Sequence, residues 1–310
     1  MEQKLKLDIT PGQIEETFAP GIERVVPVND PEWEAKEYQL RTKLRKKARW
    51  WRRLFSSAKV DRVRGVYEKE WTLDAALSRF TRRANNCDPI VWGDRRYFAH
   101  SIWTKRVHLL FLMRAIEVLK PKRVLELGSG MGFNLLLLAD RFPEIQFTGI
   151  ELTTAGHEIA QTFRASSKLS DQLIEFSPLP IVDDQAHQNV QFFHGSAAQL
   201  PFEKNSFDLV YSIQALEQME AIREEVFAQI AHVCDGYVAM FEPFADWNTA
   251  PVRQQLISSR NFFSANIADL PRYGLEPVFA TDDMPTKLTY GIGLVVARRV
   301  SPQAGQLLAK

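Results

Sequence analysis

The spacing of hydrophobic residues changes near residue 120, and this change predicts where the main sheet begins. Apolar residues recur at helical spacing over Ser101–Leu119, giving a broad apolar face that should cover a sheet. The short apolar run Arg123–Leu127 is typical of a strand buried in a parallel sheet. Helical spacing resumes from Asn134 to Phe142, and Phe147–Ile150 indicates a second strand. The pattern therefore predicts a helix followed by a strand, a turn, a helix and a strand.

The rest of the chain continues this alternation of helix and strand. A second crossover helix is predicted after the second strand, and five more strands follow. The predicted helix covers Thr154–Ser167, and the strands lie at Val190–Phe193, Ser206–Ile213, Gly236–Phe241, around Val278 and Phe279, and within Tyr290–Ala297.

Glycines concentrate in the turn Gly128–Gly132, between the first strand and its helix. Glycine allows a sharp turn and a close approach of the backbone to a ligand. Glu151 ends the second strand, where a carboxylate accepts hydrogen bonds from ribose hydroxyls. The dinucleotide fingerprint requires a third glycine at the position of Phe133. Glu126 at the mouth of the turn would repel a pyrophosphate and attract an ammonium or sulfonium group.

The segment Val124–Gly132, VLELGSGMG, together with Glu151 resembles the class I S-adenosylmethionine-dependent methyltransferases. The resemblance covers roughly Trp103–Arg299. It implies a Rossmann-like α/β fold with a seven-stranded, mostly parallel, doubly wound sheet that ends in an antiparallel pair. It also implies S-adenosylmethionine as cofactor and S-adenosylhomocysteine as product.

The resemblance also implies which residues bind the cofactor. Ser196 stands where many relatives carry an aspartate for the adenine amino group, and Gln218 stands where relatives often carry a histidine. The carboxyl ends of the strands should converge on one crevice. Glu242, at the end of the fifth strand, should therefore lie close to the residues that bind the cofactor. The expected cofactor-binding residues are Glu126, Gly128, Ser129, Gly130, Met131, Asn134, Glu151, Leu152, Ser196, Ala197 and Gln214.

The methyl acceptor is less defined by the sequence. The segment Ser212–Ala215 ends the fourth strand and does not resemble the Asn-Pro-Pro-Tyr signature, which argues against methylation of DNA adenine or glutamine. We expect transfer to a small-molecule or glycan-type acceptor at oxygen. A hydroxyl acceptor requires a general base, and the candidates are His100, Glu242, Glu217 and Tyr97. A membrane-borne lipid-linked acceptor and a cofactor-binding regulatory protein without transferase activity are the alternatives.

Residues 1–100 are predicted to form an N-terminal arm and helical appendage, and residues 101–300 the methyltransferase domain. Within the arm, a strand is expected around Arg24–Val28. A basic amphipathic helix is predicted over about 33–64, with eleven lysines and arginines between Arg41 and Arg64 against Asp61 alone. Packing of its apolar stripe is favoured over contact with a membrane surface or RNA. A further helix is predicted at Tyr67–Arg83, and a loop at Trp92–His100 acts either as a lid or as a fixed rim.

Composition bears on the partners, the metal or disulfide sites and the localisation of the protein. The chain has 39 basic and 38 acidic residues, so its net charge gives no reason to expect nucleic acid as partner. Cys87 and Cys234 are far apart and have no metal-binding spacing, so neither a disulfide nor a metal site is predicted. No leader or membrane-spanning run is visible, which favours a cytoplasmic protein. Residues 301–310 are predicted to be a disordered tail, and the oligomeric state stays open.

Overall fold

A computed structural model describes residues 5–51, 87–260 and 262–300. Its strands form two sheets, one with seven strands and one with four. In chain order they are β1 (Ile22–Val26), β2 (Cys87–Trp92), β3 (Arg95–His100), β4 (Arg123–Leu127), β5 (Gln146–Glu151), β6 (Gln191–His194), β7 (Phe207–Ile213), β8 (Cys234–Glu242), β9 (Leu275–Thr281), β10 (Thr286–Lys287) and β11 (Gly293–Arg299).

The helices lie between these strands and on both sides of the larger sheet. They are α1 (Pro11–Phe18), α2 (Pro31–Trp51), α3 (Ile102–Leu119), α4 (Phe133–Arg141), α5 (Thr154–Arg164), α6 (Asp171–Phe176), α7 (Arg223–Val233) and α8 (Pro251–Arg260). Short 3₁₀ helices at Ala186–Asn189, Leu216–Gln218, Glu220–Ile222, Ala245–Trp247 and Ile267–Tyr273 lie in the connections, and another at Ala19–Gly21 precedes β1.

The larger sheet has the order β6-β5-β4-β7-β8-β11-β9. Strands β4 to β8 pair in parallel, whereas β11 is antiparallel to both β8 and β9. The strand order reverses at β4, between β5 and β7, and ligands bind beyond the carboxyl ends of strands at such a point. The predicted seven-stranded, mostly parallel sheet with a final antiparallel pair is confirmed.

Two hydrophobic layers cover this sheet. Successive residues of a strand point to opposite faces, and Val124 and Leu125 of β4 accordingly enter different core clusters. Helix α3 packs in the first layer through residues such as Leu109 and Leu112, which are fully buried, while Phe227 of α7 packs in the second. Burial of each such side chain contributes about 1.5–3 kcal/mol, so both layers hold the carboxyl ends of β4 and β5 in place.

The N-terminal region contains more regular structure than the sequence indicated. The segment predicted as the loop Trp92–His100 instead continues from the end of β2 through a turn at Gly93 and Asp94 into β3. Gly93 has a φ of +55°, which suits glycine in a short hairpin turn. The prediction of a loop over Trp92–His100 is therefore wrong.

Strands from both ends of the chain complete the smaller sheet, in the order β1-β3-β2-β10. The strand expected around Arg24–Val28 is present as β1, slightly earlier in the chain. The Trp92 indole donates to Asp283 Oδ1 at 2.7 Å, and Lys287 pairs with Asp88 at 2.8 Å. Because β10 belongs to the C-terminal half, this sheet crosses the domain boundary predicted at residue 100.

The sequence analysis did not predict helix α1, although a local sequence motif marks its start. The Gln13 N–H donates to Thr10 Oγ1 at 3.3 Å, and the Thr10 N–H donates to Gln13 Oε1 at 2.9 Å. This reciprocal pair is a capping box, and Pro11 occupies the first turn. The motif Thr-x-x-Gln therefore marks the start of a helix within the segment that the sequence analysis assigned to the N-terminal arm.

Part of the predicted appendage lies outside the described residues. Helix α2 corresponds to the start of the basic helix predicted over about 33–64, and the remainder of that helix lies beyond its described end at Trp51. The helix predicted at Tyr67–Arg83 and the tail 301–310 also lie outside. Among the described helices, none combines the length and the apolar character that crossing a bilayer requires.

Candidate cofactor and acceptor site

The glycine turn after β4 has a conformation that other residues rarely adopt. Gly128, Gly130 and Gly132 have φ values of +65°, +55° and +77°. A Cβ on Gly128 would lie 2.7 Å from Ala215 Cβ, and one on Gly132 would lie 2.6 Å from Phe192 Cζ. Both separations are below van der Waals contact, so the turn requires glycine for its backbone and for its packing.

Glu151 connects the end of β5 to this turn. Its Oε2 accepts from the Gly130 N–H at 2.8 Å, and its Oε1 accepts from the Thr153 N–H and Oγ1 at 2.8 and 2.7 Å. Thr153 Oγ1 in turn accepts from the Gly156 N–H at 3.3 Å, capping α5. The carboxylate is therefore held in one orientation at the lip of the crevice.

Glu126 is buried on the other side of the turn. Its Oε1 accepts from Asn134 Nδ2 at 2.8 Å. Its Oε2 is buried and lies near the Tyr211 hydroxyl, and neither atom has another hydrogen-bond partner among the described residues. Burial raises the pKa of Glu126 to about 8. A buried acceptor atom of this kind is suited to a ligand that brings its own donor, such as an ammonium group.

The turn and the carboxyl ends of β5, β6 and β7 enclose a cavity of about 310 Å³, hereafter the cofactor cavity. All eleven residues predicted to bind the cofactor line it. The sequence analysis missed Lys105 of α3, Phe176 of α6 and Met219, because no local motif marks a residue that reaches the cavity from a flanking helix or loop. The eleven are Glu126, Gly128, Ser129, Gly130, Met131, Asn134, Glu151, Leu152, Ser196, Ala197 and Gln214.

A second cavity, of about 390 Å³, borders the first; it is hereafter the acceptor cavity. Ile102, Lys105, Gln214 and Gln218 line both. Helix α3, the connection after β7 and the segment around β10 provide its other walls. Those walls include His108, Glu217, Thr286 and Tyr290.

Two polar groups of the acceptor cavity have no hydrogen-bond partner among the described residues. They are the ring nitrogens of His108 and the hydroxyl of Tyr290, and both side chains are at least nine-tenths buried. Burial and the nearby Lys105 ammonium lower the pKa of His108 to about 3, so its imidazole is neutral at physiological pH. A neutral imidazole and a phenol together offer both an acceptor and a donor.

The four predicted general bases are not brought together. Tyr97 is buried in the smaller sheet, with its ring 5.6 Å from that of Phe18, and His100 ends β3 beside Cys87. Neither Tyr97 nor His100 lines either cavity. Of the four, only Glu217 does.

Glu242 ends β8 but lines neither cavity, although it was expected at the crevice. Its Oε1 accepts from the N–H groups of Ala215 and Leu216, and its Oε2 accepts from the Glu217 N–H, each at 3.0 Å. Burial raises the pKa of this carboxyl to about 7. All of these contacts are internal, so Glu242 positions the connection after β7, which borders both cavities.

Comparison with known proteins identifies the domain. Residues 125–238 match the family model described as "Methyltransferase domain". This match covers the glycine turn, Glu151 and the connection after β7. Little more than a third of the chain therefore matches a methyltransferase domain. The cofactor of this family is S-adenosylmethionine, as the resemblance implied.

Individual relatives are distant. The chain is 24% identical over 197 residues to a malonyl-[acyl-carrier protein] O-methyltransferase of Nitrosospira multiformis, covering 60% of this chain and 62% of that protein. It is 24% identical over 137 residues to ajmaline N-methyltransferase of Rauvolfia serpentina, covering 44% and 41%. The chain thus spans less than two thirds of the length of either relative.

Among solved structures, magnesium protoporphyrin IX methyltransferase from Synechocystis PCC 6803 with bound S-adenosylhomocysteine is similar in fold. The TM-score is 0.51 at 13% identity, covering 78% of this chain and 100% of that one. At this identity the likeness concerns the fold alone.

Cofactor binding should release a proton from Glu126. The pKa of the Glu126 carboxyl is about 8 without a ligand. A ligand ammonium beside the carboxylate lowers this pKa by direct attraction. We therefore expect the affinity for S-adenosylhomocysteine to rise on the order of tenfold between pH 6 and 7. Titration calorimetry at pH 6.5 in buffers of different ionisation enthalpy measures the released proton. Glu126→Gln should abolish the proton release and flatten the pH profile, and a wild-type heat independent of buffer would contradict the prediction.

Proposed function

We propose that this protein transfers the methyl group of S-adenosylmethionine to an oxygen atom of a small organic acceptor held in the acceptor cavity. The observation that carries the proposal is the shared wall between the two cavities, formed in part by Lys105, Gln214 and Gln218. Methyl transfer requires the acceptor atom in line with the methyl carbon, and adjoining sites provide such proximity.

The cofactor cavity fits the cofactor through its two acids. Glu151 would accept hydrogen bonds from the ribose hydroxyls, because its carboxylate is fixed at the carboxyl end of β5. Glu126 would accept from the ammonium group, and Ser196 and Ala197 would border the adenine. The cofactor supplies an electrophilic methyl group on a sulfonium centre. The protein itself must then orient the acceptor and exclude water.

His108 and Tyr290 support oxygen as the methylated atom. An acceptor hydroxyl would accept from the Tyr290 phenol and donate to the unprotonated ring nitrogen of His108. That nitrogen would take the hydroxyl proton as the methyl group moves to oxygen and S-adenosylhomocysteine leaves. Lys105 adds a positive charge at the boundary of the cavities, favouring an acceptor oxygen that is anionic or becomes so. The relatives' names include both an O- and an N-methyltransferase. The proposal of oxygen rather than nitrogen therefore depends on the polar groups of the acceptor cavity.

Removal of the Tyr290 hydroxyl should therefore impair acceptor use without affecting the cofactor. We expect Tyr290→Phe to lower methyl transfer roughly tenfold, corresponding to about 1.4 kcal/mol for one hydrogen bond in a buried site. Its affinity for S-adenosylhomocysteine should stay within twofold of the wild type. The measurement uses methyl-labelled S-adenosylmethionine with a fractionated cell extract that contains both small molecules and lipids, and the site of the label is determined by NMR.

Tyr237→Phe is the matched control, since Tyr237 lies on β8 and lines neither cavity. Label on a nitrogen, or transfer unchanged in Tyr290→Phe, would contradict the proposal for this cavity. Label confined to the lipid fraction would instead support a membrane-borne acceptor. Cofactor binding without transfer to any fraction would support a regulatory protein.

A further inference from the structure

Three potential metal ligands meet in the smaller sheet, away from both cavities. They are the Glu23 carboxylate on β1, the Cys87 thiol on β2 and the His100 imidazole on β3. One ligand atom of each lies within 4.8 Å of the other two. Sequence analysis did not indicate this cluster, because its members are far apart in the chain and lack metal-binding spacing.

The distance between sulfur and nitrogen fits a tetrahedral metal. Cys87 and His100 lie directly opposite each other on adjacent antiparallel strands, and Cys87 Sγ is 3.8 Å from His100 Nε2. Bonds of about 2.3 Å from zinc to sulfur and about 2.05 Å to nitrogen place these atoms about 3.5 Å apart in a tetrahedral site. Metal binding would thus require the Cys87 sulfur and the His100 nitrogen to approach each other by a few tenths of an ångström.

The third ligand stands at a distortion of the edge strand. The pairing of β1 with β3 shifts register between Ile22 and Arg24, so Glu23 is an extra residue in a β-bulge. Bulges redirect side chains and are typical beside functional sites. Arg24 does not neutralise Glu23, because its guanidinium pairs with Asp30 and with Glu32 at 2.7 Å.

We propose that Glu23, Cys87 and His100 bind a zinc ion. A thiolate, an imidazole and a carboxylate are the ligand types that zinc prefers, and the two anionic ligands balance its charge. Glu23 is exposed, so water fills the fourth position. Because the three ligands come from three adjacent strands, the ion fastens the edge strand β1 to the β2–β3 hairpin and stabilises the folded state.

The test uses the full-length protein and does not depend on methyl transfer. Protein purified without chelator should contain one zinc per chain by plasma mass spectrometry. After removal of the zinc, titration with Co²⁺ should produce a thiolate-to-cobalt charge-transfer band that saturates at one equivalent and disappears on addition of Zn²⁺. Zinc should also raise the melting temperature of the metal-free protein.

Variants assign the ligands. Cys87→Ser should eliminate the charge-transfer band, and His100→Ala and Glu23→Gln should weaken Co²⁺ binding at least tenfold. Cys234→Ser, which changes the buried cysteine on β8, and Glu32→Gln, which changes an exposed acid near β1, should leave the titration unchanged. A wild-type protein that shows no thiolate band at saturating Co²⁺, or a band that persists in Cys87→Ser, would overturn the proposal whether or not the methyltransferase proposal holds.

Discussion

Replacing Glu242 by alanine is expected to lower the free energy of unfolding by about 3–5 kcal/mol, a large fraction of the roughly 5–15 kcal/mol that is typical of native proteins. The Glu242 carboxylate is fully buried and accepts from three consecutive backbone N–H groups, at Ala215, Leu216 and Glu217. Alanine leaves these donors without an acceptor, and each buried donor left unsatisfied costs about 1–3 kcal/mol. Urea denaturation followed by circular dichroism measures the loss.

Glu242→Gln should have a smaller effect, because its carbonyl oxygen retains the place of Oε1 while its NH₂ group faces the Glu217 N–H. Glu276→Ala provides the control for loss of a glutamate, since Glu276 forms a half-exposed ion pair with Arg298 at 2.6 Å. Such pairs contribute about 0–1 kcal/mol. If Glu242→Ala were no less stable than Glu276→Ala, the structural role given to Glu242 would be incorrect.

Glu151→Ala should weaken binding of S-adenosylhomocysteine roughly 100-fold, a loss of about 3 kcal/mol for hydrogen bonds to a charged acceptor. Two effects contribute. The ribose hydroxyls would lose their acceptor, and the Gly130 N–H would lose the bond that holds the glycine turn. Titration calorimetry at pH 7.5 measures the affinity, and thermal unfolding establishes that the variant remains folded.

Glu158→Ala is the matched control, since Glu158 is exposed on α5, seven residues further along the chain. It removes the same charge from the helix that follows β5, and Glu158 does not line the cofactor cavity. An affinity of Glu151→Ala equal to that of Glu158→Ala would exclude the ribose role.

The cofactor half of the site was predictable because its signals are contiguous. The run Val124–Leu127, the turn Gly128–Gly132 and Glu151 lie within one strand–helix–strand unit, whose geometry is fixed locally. Burial on both faces makes the strands uniformly apolar, which identifies a parallel sheet. The residues that follow β4 and β5 line the cofactor cavity because both strands end at the same edge of the sheet.

The structure of the N-terminal region was harder to predict from the sequence, because its strands pair with strands that are distant in the chain. The β2–β3 hairpin pairs with β1 on one side and with β10, almost two hundred residues later, on the other. Its polar and aromatic residues have no clear alternation, so local pattern favoured a loop. Strand pairing depends on the neighbouring strand more than on intrinsic preference.

The sequence by itself determined the α/β fold of the methyltransferase domain and the residues around its cofactor cavity, because each motif there is short and local. Only the tertiary structure decided that Glu242 supports a loop, that His108 and Tyr290 share a second cavity, and that Glu23, Cys87 and His100 meet. These groups are separated in the chain and come together through packing between layers and strands. Side chains brought together in this way leave no fixed spacing in the sequence.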